Sequence, residues 1–233
     1  MKIKKIKATR GNMNNLPLID LSDIKKLDFP EDQYFKTSYP KSQIVLHHTA
    51  SGKGINGDFR YWLNNPKRIA TCIIIDYYGK IYQLFSSMYW GYHLGIKKSV
   101  FKKYDLPYVN LNKTTVAVEI DSWGWLTKAE DGRFLSYTNK EIPATEVIEY
   151  PNGFRGKKYY QKYSEAQIRT VAQLLIYWNK RYDIPLDYNE DMWDVSTDAL
   201  KGKRGVYTHA SYRSDKFDCH PQTELIKMLK SLK

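Results

Sequence analysis

Cysteine is scarce in this chain: Cys72 and Cys219 are the only two among 233 residues. Two cysteines cannot build the disulfide framework of a small secreted domain, and without a CxxC pair they do not suit a closed, cysteine-rich zinc finger. Long apolar runs are missing as well. No stretch approaches the roughly 20 apolar residues that a bilayer-spanning helix needs, so no transmembrane segment is expected. The basic start Met1-Lys2-Ile3-Lys4-Lys5 looks like the opening of a signal peptide, yet residues 8–22 contain no continuous apolar region to complete one. Synthesis in the cytoplasm without an evident leader is the expectation. Lysine-rich blocks, internal repeats and low-complexity tracts are absent, and no RRM, zinc-finger or helix-turn-helix signature occurs, so nucleic acid is not the expected partner.

What the chain does have is positive charge, with 37 Lys and Arg against 25 Asp and Glu, a net +12 spread along its length. On charge alone, nucleic acid, acidic cell-wall polymer and lipid headgroups would all be attracted. With 42% apolar and 15% aromatic residues the chain can bury one large core. Residues 1–41 are Lys-, Asn- and Asp-rich and interrupted by Pro17, Pro30 and Pro40, and they read as an arm packed on a single domain spanning 42–233. A monomer is expected.

Periodicity supplies the elements. Gln43 to Thr49 is a short apolar, β-branched run that suits a buried strand carrying His47 near its C-terminal end. Asp58 is placed to cap a short helix from Phe59 to Asn64, stopped at Pro66. The segments 70–75 and 80–85, around Gly79, predict a hairpin. Val116 to Ile120 is another buried-type strand, broken by the charge of Glu119. Residues 121–162, rich in Gly, Pro, Tyr and Trp without a sustained period, predict a long excursion of short hairpins. Ser164 opens the clearest helix, with Ile168, Val171, Leu174, Leu175 and Trp178 at three- and four-residue steps and a stop at Asp183-Ile184-Pro185. A last helix runs from Gln222 to Leu232. Alternating strands and helices predict an α/β fold, a central mixed sheet flanked by helices.

The five histidines fall in three clusters: His47-His48, His93, and the stretch from His209 to His220. Imidazoles gathered from distant segments suit a metal site, one ligand from the strand at residue 47 and two from residues 209–218. A catalytic zinc site keeps three protein ligands and leaves one position open.

The ordered segments IVLHHTAS, ATCIIIDYYGKIYQLF, YWGYHLG, TTVAVEI, YSEAQIRTVAQLLIYW, RYDIP and THASYRSDKFDCHP resemble the zinc-dependent N-acetylmuramoyl-L-alanine amidases of the amidase-2 family, which includes phage amidases and peptidoglycan recognition proteins. The resemblance covers roughly residues 42–232, and its specificity lies in the order of the segments. It implies a zinc groove on one face of the sheet. It also implies Zn2+ ligands at His47, His209 and Asp218, a catalytic base at Glu119, and a carbonyl-polarising cation at Lys216. The expected substrate is peptidoglycan or its muropeptides, approached across an anionic cell-wall surface. Three departures stand out: Thr71-Cys72 where the family often has an aromatic-His or Ala-His pair, Cys219-His220-Pro221 in place of Pro-Gly, and an excursion longer than a minimal member requires.

Other roles compete at several positions. Only one of His47 and His48 can face the groove of a strand, so His48 reads as a packed neighbour. His93 reads as a substrate contact or a hydrogen-bonded loop residue, and His220 as a loop residue. Cys219 competes with Asp218 for the metal. Trp123, Trp125, Phe134 and Tyr137 are expected to line one bank of the substrate groove, against the alternative that they only pack the excursion on the sheet. The expected function is amide hydrolysis between N-acetylmuramic acid and L-alanine by a phage-type endolysin. The alternatives are a cytoplasmic amidase recycling anhydro-muropeptides and a peptidoglycan-binding module without catalysis.

Overall fold

The computed structural model describes residues 19–232. Eleven strands are present among the described residues: β1 (Lys25–Lys26), β2 (Gln43–His48), β3 (Ile73–Ile75), β4 (Ile81–Gln83), β5 (Thr115–Ile120), β6 (Trp125–Lys128), β7 (Phe134–Leu135), β8 (Glu141–Ile142), β9 (Val147–Phe154), β10 (Lys157–Gln161) and β11 (Gly205–Thr208). The helices are α1 (Asn56–Leu63), α2 (Lys98–Lys103), α3 (Glu165–Tyr182), α4 (Thr197–Leu200) and α5 (Thr223–Ser231). They build a six-stranded sheet in the order β1-β4-β3-β5-β2-β11 and a five-stranded sheet in the order β8-β7-β6-β10-β9.

The first sheet is mixed: β3, β5, β2 and β11 run parallel to their neighbours, and only the β3–β4 pair is antiparallel. Every residue of β2 is buried, as its near-continuous apolar run requires of a strand covered on both faces. Successive side chains go to opposite faces. Ile44, Leu46, Val116 and Val118 join the larger core under α3 and α5, while Val45 and Ala117 join a second cluster with Phe101, Ala199, Leu200 and Tyr207. By the same alternation His47 and Glu119 fall on the second face and His48 on the first. Helices therefore cover both faces of a central mixed sheet, as expected from the alternation of elements.

α3 begins where its capping box lies, Ser164 accepting from the Gln167 backbone while the Gln167 side chain accepts from the Ser164 backbone N–H. Its apolar stripe, Ile168 to Trp178, is buried, and full burial of each such side chain is worth about 1.5–3 kcal/mol. The helix ends at Asp183, which adopts the left-handed conformation at φ 54°. Gly79 turns β3 into β4 at φ +83°, and a Cβ there would come within 2.9 Å of the Ala166 carbonyl oxygen of α3. α1 starts three residues earlier than Asp58 as a cap would put it; Ile55 precedes the helix, and the Asp58 carboxylate accepts from Ser51 Oγ at 2.6 Å instead.

Of the arm expected at residues 1–41, positions 1–18 lie outside the described residues. The rest lies against the core: Phe29 and Tyr34 are buried, and Lys25–Lys26 adds an edge strand parallel to β4. The excursion expected at 121–162 is the second sheet, whose strands pair antiparallel throughout.

Candidate metal centre

The parallel strands β2, β5 and β11 end at one edge, and the crevice beyond the carboxyl ends of such strands is where open α/β sheets place their sites. The register sets His47 beside Glu119 and Thr208 beside Leu46, so His209 emerges directly after β11, next to His47. From His209 the chain makes a short loop and returns, closed by the Ala210 N–H donating to the Asp218 carbonyl at 3.0 Å.

This brings His47, His209 and Asp218 together, one donor atom of each within 4.8 Å of the others and all three residues buried. His47 Nδ1 lies 3.1 Å from His209 Nδ1, and Asp218 Oδ2 lies 3.0 Å from the first and 2.9 Å from the second. The outward faces of both rings are already engaged. His209 Nε2 donates to the Leu94 carbonyl at 2.9 Å, which leaves its Nδ1 as a bare lone pair. His47 Nε2 donates to His93 Nδ1 at 2.9 Å, and His93 Nε2 in turn to Thr115 Oγ1 at 2.7 Å. Thr115 Oγ1 passes its own proton to the Leu111 carbonyl at 3.0 Å. Every donor in this chain points outward.

With those tautomers, three electron pairs meet at one point with no proton between them. Burial, and then the neighbouring His209, lower the pKa of His47 to about 4. Two neutral imidazoles and a carboxylate are the donor set of a divalent transition metal, and imidazoles braced by a carbonyl or a second side chain are characteristic of zinc ligands. The residues fit the ion.

Cys219 is outside this cluster. It is fully buried, and burial first, with the Asp218 charge, pushes its thiol well above the ordinary value, so it stays a thiol beside Tyr163. His48 faces the opposite side of the strand, its Nδ1 2.8 Å from the Tyr163 hydroxyl. His220 is wholly buried, with Nδ1 2.7 Å from the Tyr150 hydroxyl and Nε2 donating to the Gln161 carbonyl at 3.0 Å.

A cleft of about 370 Å³ opens over the three converging side chains, and Glu119, Trp125, Lys216, Trp62 and Thr71 share its walls. Glu119 Oε2 is buried without a hydrogen-bond partner. Burial, followed by the charges of Asp218 and Asp58, pushes its pKa well above the ordinary value. An unpartnered buried carboxyl is expensive, and a nearby cation or a transferable proton is what would use it. Lys216 is half-buried in the wall of the same cleft, and among the described residues no acid pairs with it. A second, adjoining groove of about 660 Å³ shares His93, His209 and Lys216 and is lined by Lys67, Arg68 and Arg213, with no acidic residue in its walls.

The aromatic residues expected on the groove separate. Trp125 lines the cleft, with Lys157 Nζ 3.9 Å from its ring centroid. Trp123 packs over Gly52, where an added Cβ would meet it at 2.9 Å, and pairs edge-on with Tyr137 at 6.0 Å. Phe134 packs against Tyr159 at 5.1 Å within the second sheet. Sequence reasoning did not single out Trp62 or Thr115, nor see that His93 braces His47. Only the IVLHH, YHLG and NKTT segments taken together carry that signal, and their contact is tertiary.

Several solved structures share this architecture. A point mutant of PlyL is 14% identical, covering 89% of this chain and 98% of that one at a TM-score of 0.50. The catalytic domain of PlyG is 13% identical, covering 89% and 93% at 0.50. A selenomethionine derivative of AmpD is 13% identical, covering 91% and 99% at 0.50. At such identities the likeness is one of fold. No curated protein sequence matches the chain. The family described as N-acetylmuramoyl-L-alanine amidase matches residues 37–221, most of the chain and all three converging side chains, and the chain belongs to that family, Amidase_2.

Proposed function

We propose that the chain is a zinc-dependent N-acetylmuramoyl-L-alanine amidase that cuts the amide between the lactyl group of N-acetylmuramic acid and L-alanine in intact peptidoglycan, as an endolysin does. One observation carries the metal dependence: His47 Nδ1, His209 Nδ1 and Asp218 Oδ2 converge as three proton-free acceptors, 2.9–3.1 Å apart. Zinc bound by them supplies Lewis acidity, which makes water nucleophilic near neutral pH and polarises the scissile carbonyl.

The side chains around the ligands have complementary tasks in this reading. Glu119, half-buried with one buried, unpartnered oxygen on the wall of the cleft, accepts the proton of the attacking water and returns it to the departing alanine nitrogen. Burial, with the charges of Asp218 and Asp58, raises its pKa, which helps it hold the proton between the two halves of that exchange. Lys216 places a cation beside the oxyanion that forms at the carbonyl carbon. Trp125 offers a flat apolar face to a sugar ring, and His93 holds His47 in its ligating tautomer. Trp123, Phe134 and Tyr137 would then support the second sheet. The basic groove lined by Lys67, Arg68 and Arg213 favours a substrate rich in carboxylates and phosphates, and the net +12 favours an anionic wall over a small soluble muropeptide.

The test pairs metal analysis with two substrates. Purified protein should hold one zinc per chain, clear a suspension of purified cell walls, and lose activity to chelator and regain it with zinc. His47→Ala and His209→Ala should lose zinc and lysis together. Full zinc content in both variants would refute the ligand set, and cleavage of soluble anhydro-muropeptides without attack on walls would replace the endolysin reading with recycling.

A further inference from the structure

The loop from His209 to Asp218 carries two of the three ligands, and what holds that loop comes from the second sheet. β9 and β10 are joined by a two-residue turn, Arg155-Gly156, with both residues at positive φ, 51° and 75°. Such a turn favours Asn-Gly, and an arginine is strained there, so its presence asks for a compensating contact. The contact is on the ligand loop. Arg155 Nη1 donates to the Ser214 carbonyl at 2.9 Å, and Nη2 donates to the Ala210 carbonyl at 3.0 Å and the Trp193 carbonyl at 3.4 Å. Nη2 also lies 2.9 Å from Asp194 Oδ1, and the Arg155 side chain is only 11% exposed. The planar fork thus ties together carbonyls four residues apart in the loop, one of them directly after His209.

The same sheet grips the loop's far end. Tyr150 of β9 and the Gln161 carbonyl of β10 engage the two nitrogens of His220, two residues beyond Asp218, and the His220 ring stacks on Tyr163 at 4.4 Å. The Tyr163 hydroxyl accepts from the His220 backbone N–H at 3.1 Å and lies 2.8 Å from Nδ1 of His48, the neighbour of the remaining ligand.

We infer that Arg155 is a positioning residue for the metal centre, and that the β9–β10 hairpin is a clamp that holds His209 and Asp218 at ligating distance of His47. This inference rests on the metal reading proposed above, and it gives the excursion at 121–162 a task besides lining the cleft. Lysine at 155 keeps a charge for Asp194 but cannot reach two carbonyls at fixed separation, so the fork itself is tested by Arg155→Lys. Methionine removes the charge as well. Tyr150→Phe deletes one hydroxyl from the other end of the clamp and preserves the ring.

Zinc affinity of each variant is measured by competition with a chromophoric chelator, beside the thermal unfolding of the zinc-free protein and turnover at saturating zinc. Loss of outer support for metal ligands weakens binding about 10–100-fold, and that loss is expected for Arg155→Lys and Arg155→Met, with a smaller one for Tyr150→Phe. Turnover at saturating zinc should return to the wild-type value in all three, because the ligands themselves remain. Arg133→Ala, on the exposed β6–β7 hairpin of the same sheet, should bind zinc like the wild type. Wild-type affinity in Arg155→Lys overturns the inference, as does a loss that tracks the unfolding temperature of the zinc-free protein. Should the Arg155 variants fail to fold, wild-type affinity in Tyr150→Phe overturns it. If the wild-type protein binds no zinc, the metal reading fails first, and the competition assay separates that outcome from failure of the clamp.

Discussion

Removing His93 tests the tautomer argument at its weakest joint. His93 Nδ1 is the acceptor for His47 Nε2–H, and its own Nε2–H goes on to Thr115, so His93→Ala leaves a buried N–H on His47 without a partner. A buried donor left unsatisfied costs about 1–3 kcal/mol, and the cheapest escape is for His47 to move its proton to Nδ1, where it meets Asp218 Oδ2. That tautomer cannot ligate. The penalty therefore appears in metal affinity: the dissociation constant for zinc should rise about 10–100-fold, equivalent to about 1.4–2.7 kcal/mol. Competition with a chelator of known affinity reads it directly, and Thr115→Val, one bond further out, should give a smaller loss in the same direction. An unchanged dissociation constant in His93→Ala would refute the outward hydrogen-bond chain as the device that selects the ligating tautomer. Complete loss of zinc would instead make His93 a ligand.

Other expected outcomes follow from the same cleft. Asp218→Ala should abolish zinc binding while Cys219→Ser keeps both zinc and activity; the opposite pattern moves the ligand by one residue. Glu119→Gln should retain zinc and lose turnover by about two to four orders of magnitude, the usual worth of general acid–base help, and a wild-type rate would remove Glu119 from that role. Burial holds His47 and His48 at a pKa of about 4, which between pH 7 and pH 5 takes about 2 kcal/mol each from the zinc-free protein, while Asp58 and Asp121, raised by burial to about 6 and about 7, take up protons in the folded state and offset that loss. Both imidazoles should therefore stay neutral at pH 5 in zinc-free protein, read from their NMR shifts with chelator present, and protonated rings would contradict it. Trp125→Ala should raise KM for cell walls without changing zinc content, and unchanged kinetics would confine Trp125 to packing.

The legible parts of this chain are those whose cause is local. The α3 stripe, its Ser164–Gln167 box and the Gly79 turn announce themselves in a dozen residues, because propensity, capping and period agree there. The convergence of His47, His209 and Asp218 was legible through the ordered segments shared with the amidase-2 family, because only His47 ends a strand pattern visible in the sequence, while β11 before His209 carries too short a pattern and Asp218 lies well beyond it in a loop. β1 was not legible, since two exposed lysines pairing with the edge of β4 carry neither alternation nor apolar content. The four aromatic residues near the groove could not be sorted either. Whether a ring in an antiparallel excursion faces the cleft or the sheet depends on a register that no local signal records, and one residue of slip reverses it.

Arg155 shows the limit most sharply. In the sequence FRGKK it is an unremarkable basic residue beside a glycine, indistinguishable from the charge spread over the rest of the chain. Its place becomes meaningful only when the hairpin tip is set against the carbonyls of Ala210 and Ser214, which are about sixty residues away in the chain. Ligands can be read from a sequence because the metal's chemistry restricts them to a few residue types. The groups that hold a ligand loop from outside need only donate a hydrogen bond, and most polar side chains can do that. The first sheet therefore brings the donor atoms of the site together, and the second, far less legible, supplies the constraint that keeps two of them from drifting apart.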